Sequence, residues 1–223
     1  MIYAMSDIHG CYKEFLQALE LVDLSRSNKL LLLGDYIHGG TDSYKVLDTV
    51  IELQKKYGTD KVIALMGNHE EMVIEGRECI NIDQEKSIYP KDDYYLNWMK
   101  NLPRYYVEGK TIFVHAGVDE EAEDLWKVGT DKYTFTEKYP AQIGNFNCDM
   151  KIVAGHVGTA EISSNPRFHE IYFDGQSHYY IDGTVVISGK IPVIAVDTKN
   201  DEYYSVTDSG LRIVETYREE RRK

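Results

Sequence analysis

One arrangement recurs along this chain: a short apolar run is followed at once by Asp, His or Asn beside glycine. It occurs in SDIHG, GDYIHGG, MGNHE, FVHAG and AGHVGT. A charged side chain at the mouth of a buried strand is costly unless a partner meets it. Ligands of open α/β sheets gather at the carboxyl ends of strands. The pattern therefore predicts that these side chains converge at such an edge: Asp7, His9, Asp35, Asn68, His69, His115 and His156.

The spacing of apolar residues predicts strands alternating with helices in the first third of the chain. Strands are expected at residues 2–5, 29–33 and 61–66, with helices over 12–22 and 41–58 and another opening at 67–70. Such alternation indicates parallel β-α-β units. Further strands are expected at 111–114 and 151–154, and residues 171–207 alternate strands with turn signals. The chain is thus assigned to the α/β class.

One domain accounts for most of the chain. The 223 residues, 43% of them hydrophobic, suffice for a single sizeable core. Residues 1–210 are predicted to form that domain. Residues 76–104 are predicted to be a polar surface excursion or cap beside the site, with a helix at 94–100. Residues 211–223 are predicted to be a charged tail to which no function is assigned.

The composition of the chain excludes several classes of binding partner. The net charge of -12 argues against a general nucleic-acid binder, which needs clustered Lys and Arg. Three cysteines without CxxC spacing indicate neither a disulfide framework nor a thiolate zinc site. The stretch MIYAMSDIHG reaches Asp7 too soon for a signal peptide, and no apolar run approaches ~18 residues. A reduced, cytoplasmic protein with no membrane partner is expected; the oligomeric state is left open.

The strand-end residues have the chemistry of a metal site. Imidazole and carboxylate ligands suit borderline divalent metals such as Mn, Fe, Zn or Co. A single Asp-x-His pair is weak evidence, since an aspartate in that position also caps helices. Five such strand ends in order favour a metal site strongly over unrelated polar residues.

The five motifs, in this order, resemble those of the calcineurin-like metallophosphoesterases, in particular the compact bacterial enzymes of the Ser/Thr protein phosphatase type. The symmetrical diadenosine tetraphosphatases are relatives within the same group. The resemblance extends over about residues 2 to 197. It implies a β-sandwich of two mixed sheets flanked by helices.

The resemblance also implies roles for the site residues. Asp7 and His9 would bind a first metal ion, Asp35 would bridge two ions, and the second would be bound by Asn68, His115 and His156. The cofactors implied are two divalent ions (Mn, Fe, Zn, Co or Ni, with Mn expected to support activity in vitro). A bridging water would attack the phosphorus atom. His69 would protonate the departing oxygen as general acid.

Three departures from the family pattern bear on the substrate. The second motif usually reads GDxxDRG, and here His38 replaces its second Asp and Gly39 its Arg. Met66 stands where an Arg usually precedes GNH. Lys127, in Trp-Lys-Val, lies where the family often has Trp-x-Arg and is the nearest cationic candidate for substrate binding.

The expected function is hydrolysis of a phosphate ester or anhydride, with a phosphoprotein or a nucleotide as substrate. The first interpretation is an enzyme like the Ser/Thr protein phosphatases. The alternatives are a dinucleoside polyphosphate hydrolase, or a catalytically weak metal-binding protein that senses phosphate or nucleotide. A neutral His38 supports a positive charge on His69 less well than a carboxylate would, which favours substrates with good leaving groups. A nucleic-acid-processing phosphoesterase ranks third because of the acidic charge.

Overall fold

A computed structural model describes residues 1–80 and 92–218. Its strands, in chain order, are β1 (Ile2–Met5), β2 (Lys29–Leu32), β3 (Val62–Ala64), β4 (Tyr105–Glu108), β5 (Thr111–Val114), β6 (Lys151–Ala154), β7 (Tyr172–Phe173), β8 (His178–Tyr180), β9 (Ile194–Asp197), β10 (Glu202–Thr207) and β11 (Gly210–Ile213). The α-helices are α1 (Tyr12–Glu20), α2 (Ser43–Tyr57), α3 (Asn68–Ile74), α4 (Asp92–Met99), α5 (Trp126–Gly129), α6 (Lys132–Glu137), α7 (Thr159–Ile162) and α8 (Val185–Ser188).

The strands form two mixed sheets. The first has the order β11-β10-β9-β1-β2-β3, with β1, β2 and β3 parallel and joined through α1 and α2. The second has the order β4-β5-β6-β8-β7, with β5, β6 and β8 parallel. Antiparallel neighbours complete each sheet at its sides. The predicted α/β fold with two mixed sheets flanked by helices is confirmed.

Alternation along the central strands explains why their sequences are apolar throughout. Ile2 and Leu31 point between the two sheets, where they pack with Phe113 of the second sheet. The intervening residues Tyr3 and Leu30 point the other way, into the layer of helices. Because both faces of β1 and β2 are covered, both sets of side chains are buried. The run of four leucines therefore belongs to a strand buried on two sides.

The flanking helices bury one face each. In α2 the buried residues recur at helical spacing, and the helix ends at Gly58, whose φ of 93° suits glycine. In α1 the expected apolar face is only partly buried: Phe15 is inside, whereas Leu16 is exposed. These helices set the length of each crossover and so bring the ends of β1, β2 and β3 to the same edge of the sheet.

Two expectations about segments need correction. The excursion predicted at 76–104 is not simply a surface feature, since α4 buries Tyr95 and Met99 in the helical core; residues 81–91 lie outside the described part. The predicted tail starts too early, because Gly210–Ile213 pairs with β10 as an edge strand. Its Leu211 and Ile213 remain exposed, so burial periodicity does not mark it as a strand. A search of the described residues finds no helix with the length and hydropathy that a membrane span requires.

Candidate metal centre

The predicted residues follow the carboxyl ends of strands from both sheets. Asp7 and His9 follow β1, Asp35 follows β2, and Asn68 and His69 open α3 after β3. His115 follows β5 and His156 follows β6. The site therefore lies where the ends of the two sheets meet, rather than along the edge of one open sheet.

Asp35 lies at the centre of the cluster. Its Oδ2 atom is 3.5 Å from His115 Nε2 and 3.7 Å from both His9 Nε2 and His69 Nε2. Two sets of potential metal ligands share this residue, one with His9 and His69 and one with His115 and His156. A carboxylate common to two ligand sets has the position that a bridging ligand requires.

Backbone carbonyls fix the orientation of two imidazoles. His115 Nδ1 is 3.0 Å from the Leu33 carbonyl oxygen, and His9 Nδ1 is 3.3 Å from the Ile37 carbonyl oxygen. A carbonyl can only accept, so in each neutral ring Nδ1 carries the proton and the Nε2 lone pair faces the cluster. Metal-ligating histidines are usually held this way by a partner outside the coordination shell.

Lone pairs converge on a point that suits a cation. Asn68 Oδ1 lies 3.0 Å from His115 Nε2 and 3.1 Å from His156 Nδ1. Ligands bound at ~2.0–2.1 Å to one ion lie ~3 Å apart at right angles. Without a cation, His115 Nε2 and Asn68 Oδ1 are two facing acceptors, and turning the Asn68 amide to donate would relieve this. These residues therefore fit a metal ion.

The carboxylates differ in their charge environment. Burial raises the pKa of Asp7, and the nearby charge of Asp35 raises it further. Burial also acts on Asp35, but the imidazoles of His115, His9 and His69 hold the pKa of Asp35 below its usual range. Burial lowers the pKa of His156 to about 4. The centre thus keeps Asp35 ionised and His156 neutral, and both states suit metal ligation.

Glu70 fastens the two loops that carry Asp35 and Asn68. Its buried carboxylate accepts hydrogen bonds from the backbone N–H groups of Asp35 (2.9 Å), Tyr36 (2.9 Å) and Gly67 (3.1 Å). Burial, and then the Asp35 charge, raise the pKa of Glu70 to about 7. Glu70 is not among the residues predicted from the sequence, although a Glu three residues after a helix N-cap is a known capping signal.

Several site residues have a left-handed backbone. The φ angles are 54° at Asp7, 49° at His9, 56° at Asp35, 72° at His38 and 65° at His156. Non-glycine residues rarely adopt this region, and each instance costs on the order of 1–3 kcal/mol. The surrounding fold therefore imposes the local geometry that turns these side chains toward one another.

Two positions near the site require glycine because a side chain would not fit there, rather than because the backbone makes a turn. A Cβ atom on Gly67 would lie 2.2 Å from Asp35 Oδ1, and one on Gly155 would lie 2.1 Å from Asp7 Oδ2. Both carboxylates thus approach backbone that has no side chain. These close approaches hold Asp7 and Asp35 against the ends of neighbouring strands.

His38 contacts His69 directly. The two Nδ1 atoms are 2.7 Å apart, and His38 Nε2 is 2.7 Å from the Cys79 carbonyl oxygen. Because that carbonyl accepts, His38 carries its proton on Nε2 and its Nδ1 accepts from His69. In neutral His69 the lone pair is then on Nε2, which faces Asp35. Burial, opposed in part by Asp35, lowers the pKa of His69 to about 4.

The other predicted residues do not join the cluster. Gly39 lies against Val186, and Met66 is buried in the helical core. Lys127 is exposed on α5, with its ammonium 5.6 Å from the centroid of the Trp126 ring. Among the described residues, no contact links Lys127 to a residue of the metal centre.

A further carboxylate, Asp182, follows β8 and is buried. Its Oδ1 accepts from the Thr184 backbone N–H at 2.7 Å. Burial, then the charge of Asp7, raise the pKa of Asp182 to about 7. Sequence reasoning missed it, although Asp-Gly after the apolar run Tyr-Tyr-Ile carries the same signal as the other strand ends.

The two-sheet fold brings Asp, His and Asn side chains together at the joined strand ends, in groups that could hold metal ions. The chain belongs to the calcineurin-like phosphoesterase family, whose model matches residues 1–189. The predicted family membership is confirmed.

Curated relatives are symmetrical bis(5'-nucleosyl)-tetraphosphatases. The protein from Nitrosospira multiformis is 33% identical over 52% of this chain and 43% of its own length. That from Buchnera aphidicola subsp. Baizongia pistaciae is 30% identical over 66% of this chain and 52% of its own length. The chain thus spans about half the length of these relatives.

Solved structures share the fold. A cold-active protein-tyrosine phosphatase of a Shewanella species superposes with a TM-score of 0.67 at 15% identity, covering 96% of this chain and 80% of the other. A protein serine/threonine phosphatase from Saccharomyces cerevisiae superposes with a TM-score of 0.63 at 14% identity, covering 95% and 76%. At these identities the likeness concerns the fold alone.

Proposed function

We propose that this protein hydrolyses phosphoanhydride bonds of dinucleoside polyphosphates. The observation that carries the proposal is the contact between His38 and His69, in which a neutral imidazole stands where a carboxylate would support a charged general acid. The curated relatives, which are named as dinucleoside tetraphosphatases, support the same choice. These relatives favour hydrolysis of dinucleoside polyphosphates over the protein phosphatase interpretation.

The proposed ligands divide into two sets around Asp35. Asp7 and His9 would hold one divalent ion, Asn68, His115 and His156 the other, and Asp35 would contact both. Two such ions, when bound, neutralise phosphoryl oxygens and lower the pKa of water that attacks phosphorus. Nitrogen and oxygen ligands without thiolate fit Mn, Fe, Zn, Co or Ni, with Mn expected to support activity in vitro.

His69 is proposed to handle the proton of the leaving group through Nε2, the nitrogen on the side of Asp35. His38 orients the ring by accepting from His69 Nδ1 but adds no negative charge. Both features of the site, burial and the neutral partner, keep His69 a weak proton carrier near neutral pH. A serine alkoxide depends strongly on a proton donor. A phosphate leaving group, with a pKa of about 6, departs without one.

The absence of the arginines that the family pattern has at positions 39 and 66 also supports a dinucleoside polyphosphate as the substrate. Gly39 and Met66 offer no charged side chain, and a terminal phosphate dianion is usually gripped by forked donors. An internal anhydride carries its charge along a chain of phosphates and has no terminal dianion at the scissile bond. The geometry therefore suits an internal anhydride better than a phosphoserine.

The test is a substrate panel on the Mn²⁺-loaded protein: diadenosine tetraphosphate, a phosphoserine peptide and p-nitrophenyl phosphate. The proposal expects kcat/KM for diadenosine tetraphosphate to exceed that for the peptide by at least about 10²-fold, the lower end of a general-acid contribution. Preference for the peptide would restore the protein phosphatase interpretation. Binding of all three without turnover would indicate the sensor.

A further inference from the structure

Two successive apolar side chains of a short helix are exposed, and the first of them lies against Gly39. Val186 and Ile187, on the short helix α8, are 54% and 81% exposed, whereas the preceding Val185 is buried. Isolated exposed apolar residues are ordinary on protein surfaces. Two in succession on one helical turn form a small apolar patch, called here the 186–187 ledge.

Gly39 locates the ledge relative to the site. A Cβ atom on Gly39 would lie 2.9 Å from Val186 Cγ2 and 3.4 Å from His9 Cβ. The ledge therefore lies against the segment that carries the metal ligand His9 and the acid's partner His38. It occupies the space beside the position where the family pattern has an arginine.

The ledge is held in place by its backbone. Thr184 and Gly189 at the two ends of α8 have left-handed backbone, with φ of 54° and 67°. Ser188 Oγ donates to the Gly183 carbonyl oxygen at 2.6 Å, and the Gly189 N–H donates to the Val185 carbonyl oxygen at 2.8 Å. A turn fixed at both ends presents its side chains without further ordering, which favours binding.

We propose that the 186–187 ledge contacts the nucleobase of the substrate whose phosphates the metal centre holds. This rests on the proposed function and names the part of the substrate that the site recognises outside the phosphate chain. A group attached to phosphates held beside His9 is within reach of the ledge through Gly39, which lies between them. A planar, uncharged ring gains from covering apolar surface there, whereas a charged group would lose hydration. Ligand sites commonly combine a few polar groups with such apolar lining.

The test measures binding to the Mn²⁺-loaded protein by calorimetry, with AMP and ribose 5-phosphate as probes and phosphate release followed in the same samples. These ligands share the phosphate and the ribose and differ by the base. Ile187→Ser is expected to weaken AMP binding about three- to tenfold while leaving ribose 5-phosphate unchanged. The conservative change Ile187→Val should retain most of the AMP affinity.

Ile213→Ser is the matched control. Ile213 is 57% exposed on the edge strand β11, three strands away from β1, and should affect neither ligand. Equal weakening of both ligands by Ile187→Ser, or no change in either, would overturn the proposal. A change of oligomeric state in sedimentation velocity caused by Ile187→Ser would also overturn it, because the ledge would then cover a second copy. Binding is read without turnover, so failure to cleave diadenosine tetraphosphate refutes the proposed function alone.

Discussion

His38 Nδ1 lies 2.7 Å from His69 Nδ1, and the Cys79 carbonyl fixes His38 as the acceptor in that contact. The contact defines which nitrogen of His69 is available to a substrate. It also removes the negative charge that a carboxylate would place there. On the proposed role of His69 as general acid, this pair would set the pH dependence of activity and the preference for a leaving group.

The substitution His38→Asp tests whether the charge of residue 38 controls the pKa of His69. Carboxylate oxygens and Nδ1 are both bonded to Cγ, so aspartate can reach His69 without moving the backbone. The new charge should raise the pKa of His69 by roughly 1–3 units. Because the acid must be protonated to act, the alkaline limb of the pH–rate profile should move upward, more for a phosphoserine peptide than for diadenosine tetraphosphate. His38→Asn, a neutral acceptor, is the control and should leave the limb in place. Identical profiles for His38→Asp and wild type would show that His38 does not tune the acid.

Gly39 tests whether the arginine of the family pattern can be restored. Its φ of 95° is strained for any residue other than glycine, and a Cβ atom would lie 2.9 Å from Val186 Cγ2, which would have to shift. Gly39→Arg is therefore expected to destabilise the protein rather than to strengthen phosphate binding. Gly39→Ala should cost on the order of 1–3 kcal/mol in the free energy of unfolding. Gly189→Ala, with φ of 67° and open space around it, is the control that carries strain without the contact. Equal losses for the two alanine variants would remove Val186 from the explanation.

Glu70→Gln tests the fastening of the Asp35 loop. The amide keeps one acceptor oxygen but presents an NH2 group to backbone N–H donors, so at least one buried donor loses its partner. The expected cost is about 1–3 kcal/mol in the free energy of unfolding, with weaker Mn²⁺ binding. Glu75→Gln, on the exposed end of the same helix, should change neither quantity. Unaltered metal affinity in Glu70→Gln would show that the loop holds its shape without this carboxylate.

A buried charge network outside the site predicts how stability depends on pH. His178 lies between Asp174 (2.9 Å) and Glu120 (3.1 Å); burial alone would lower its pKa, but the two carboxylates raise it to about 9. A group whose pKa is raised on folding stabilises the fold fully below its unfolded pKa of about 6.5, and the effect is lost as pH rises through 9. Wild-type stability should therefore fall by about 2–3 kcal/mol between pH 6 and pH 10. Chemical denaturation at several pH values measures it. His178→Asn should show a flatter profile; parallel profiles would exclude His178 as the source.

Many residues of the site could be predicted because the end of a buried strand has a recognisable local sequence pattern. An apolar run followed by Asp, His or Asn places the side chain at a sheet edge, and His38, which the family motif aligns with an Asp, lies in contact with His69. No such local pattern marks the left-handed backbone at His9 and His38, because this backbone results from packing between segments that are distant in sequence. The same holds for Gly155, whose missing side chain admits the Asp7 carboxylate. Asp182 did carry the strand-end signal and was overlooked.

We expect Asp35 to bridge two metal ions held by residues of both sheets. The direct test is the number of Mn²⁺ ions bound per chain, determined by elemental analysis after equilibrium dialysis of wild type and Asp35→Asn. We expect two ions in the wild type and, in the variant, at most one weakly held ion with turnover lost. Two tightly held ions in Asp35→Asn, or none in the folded wild type, would contradict it.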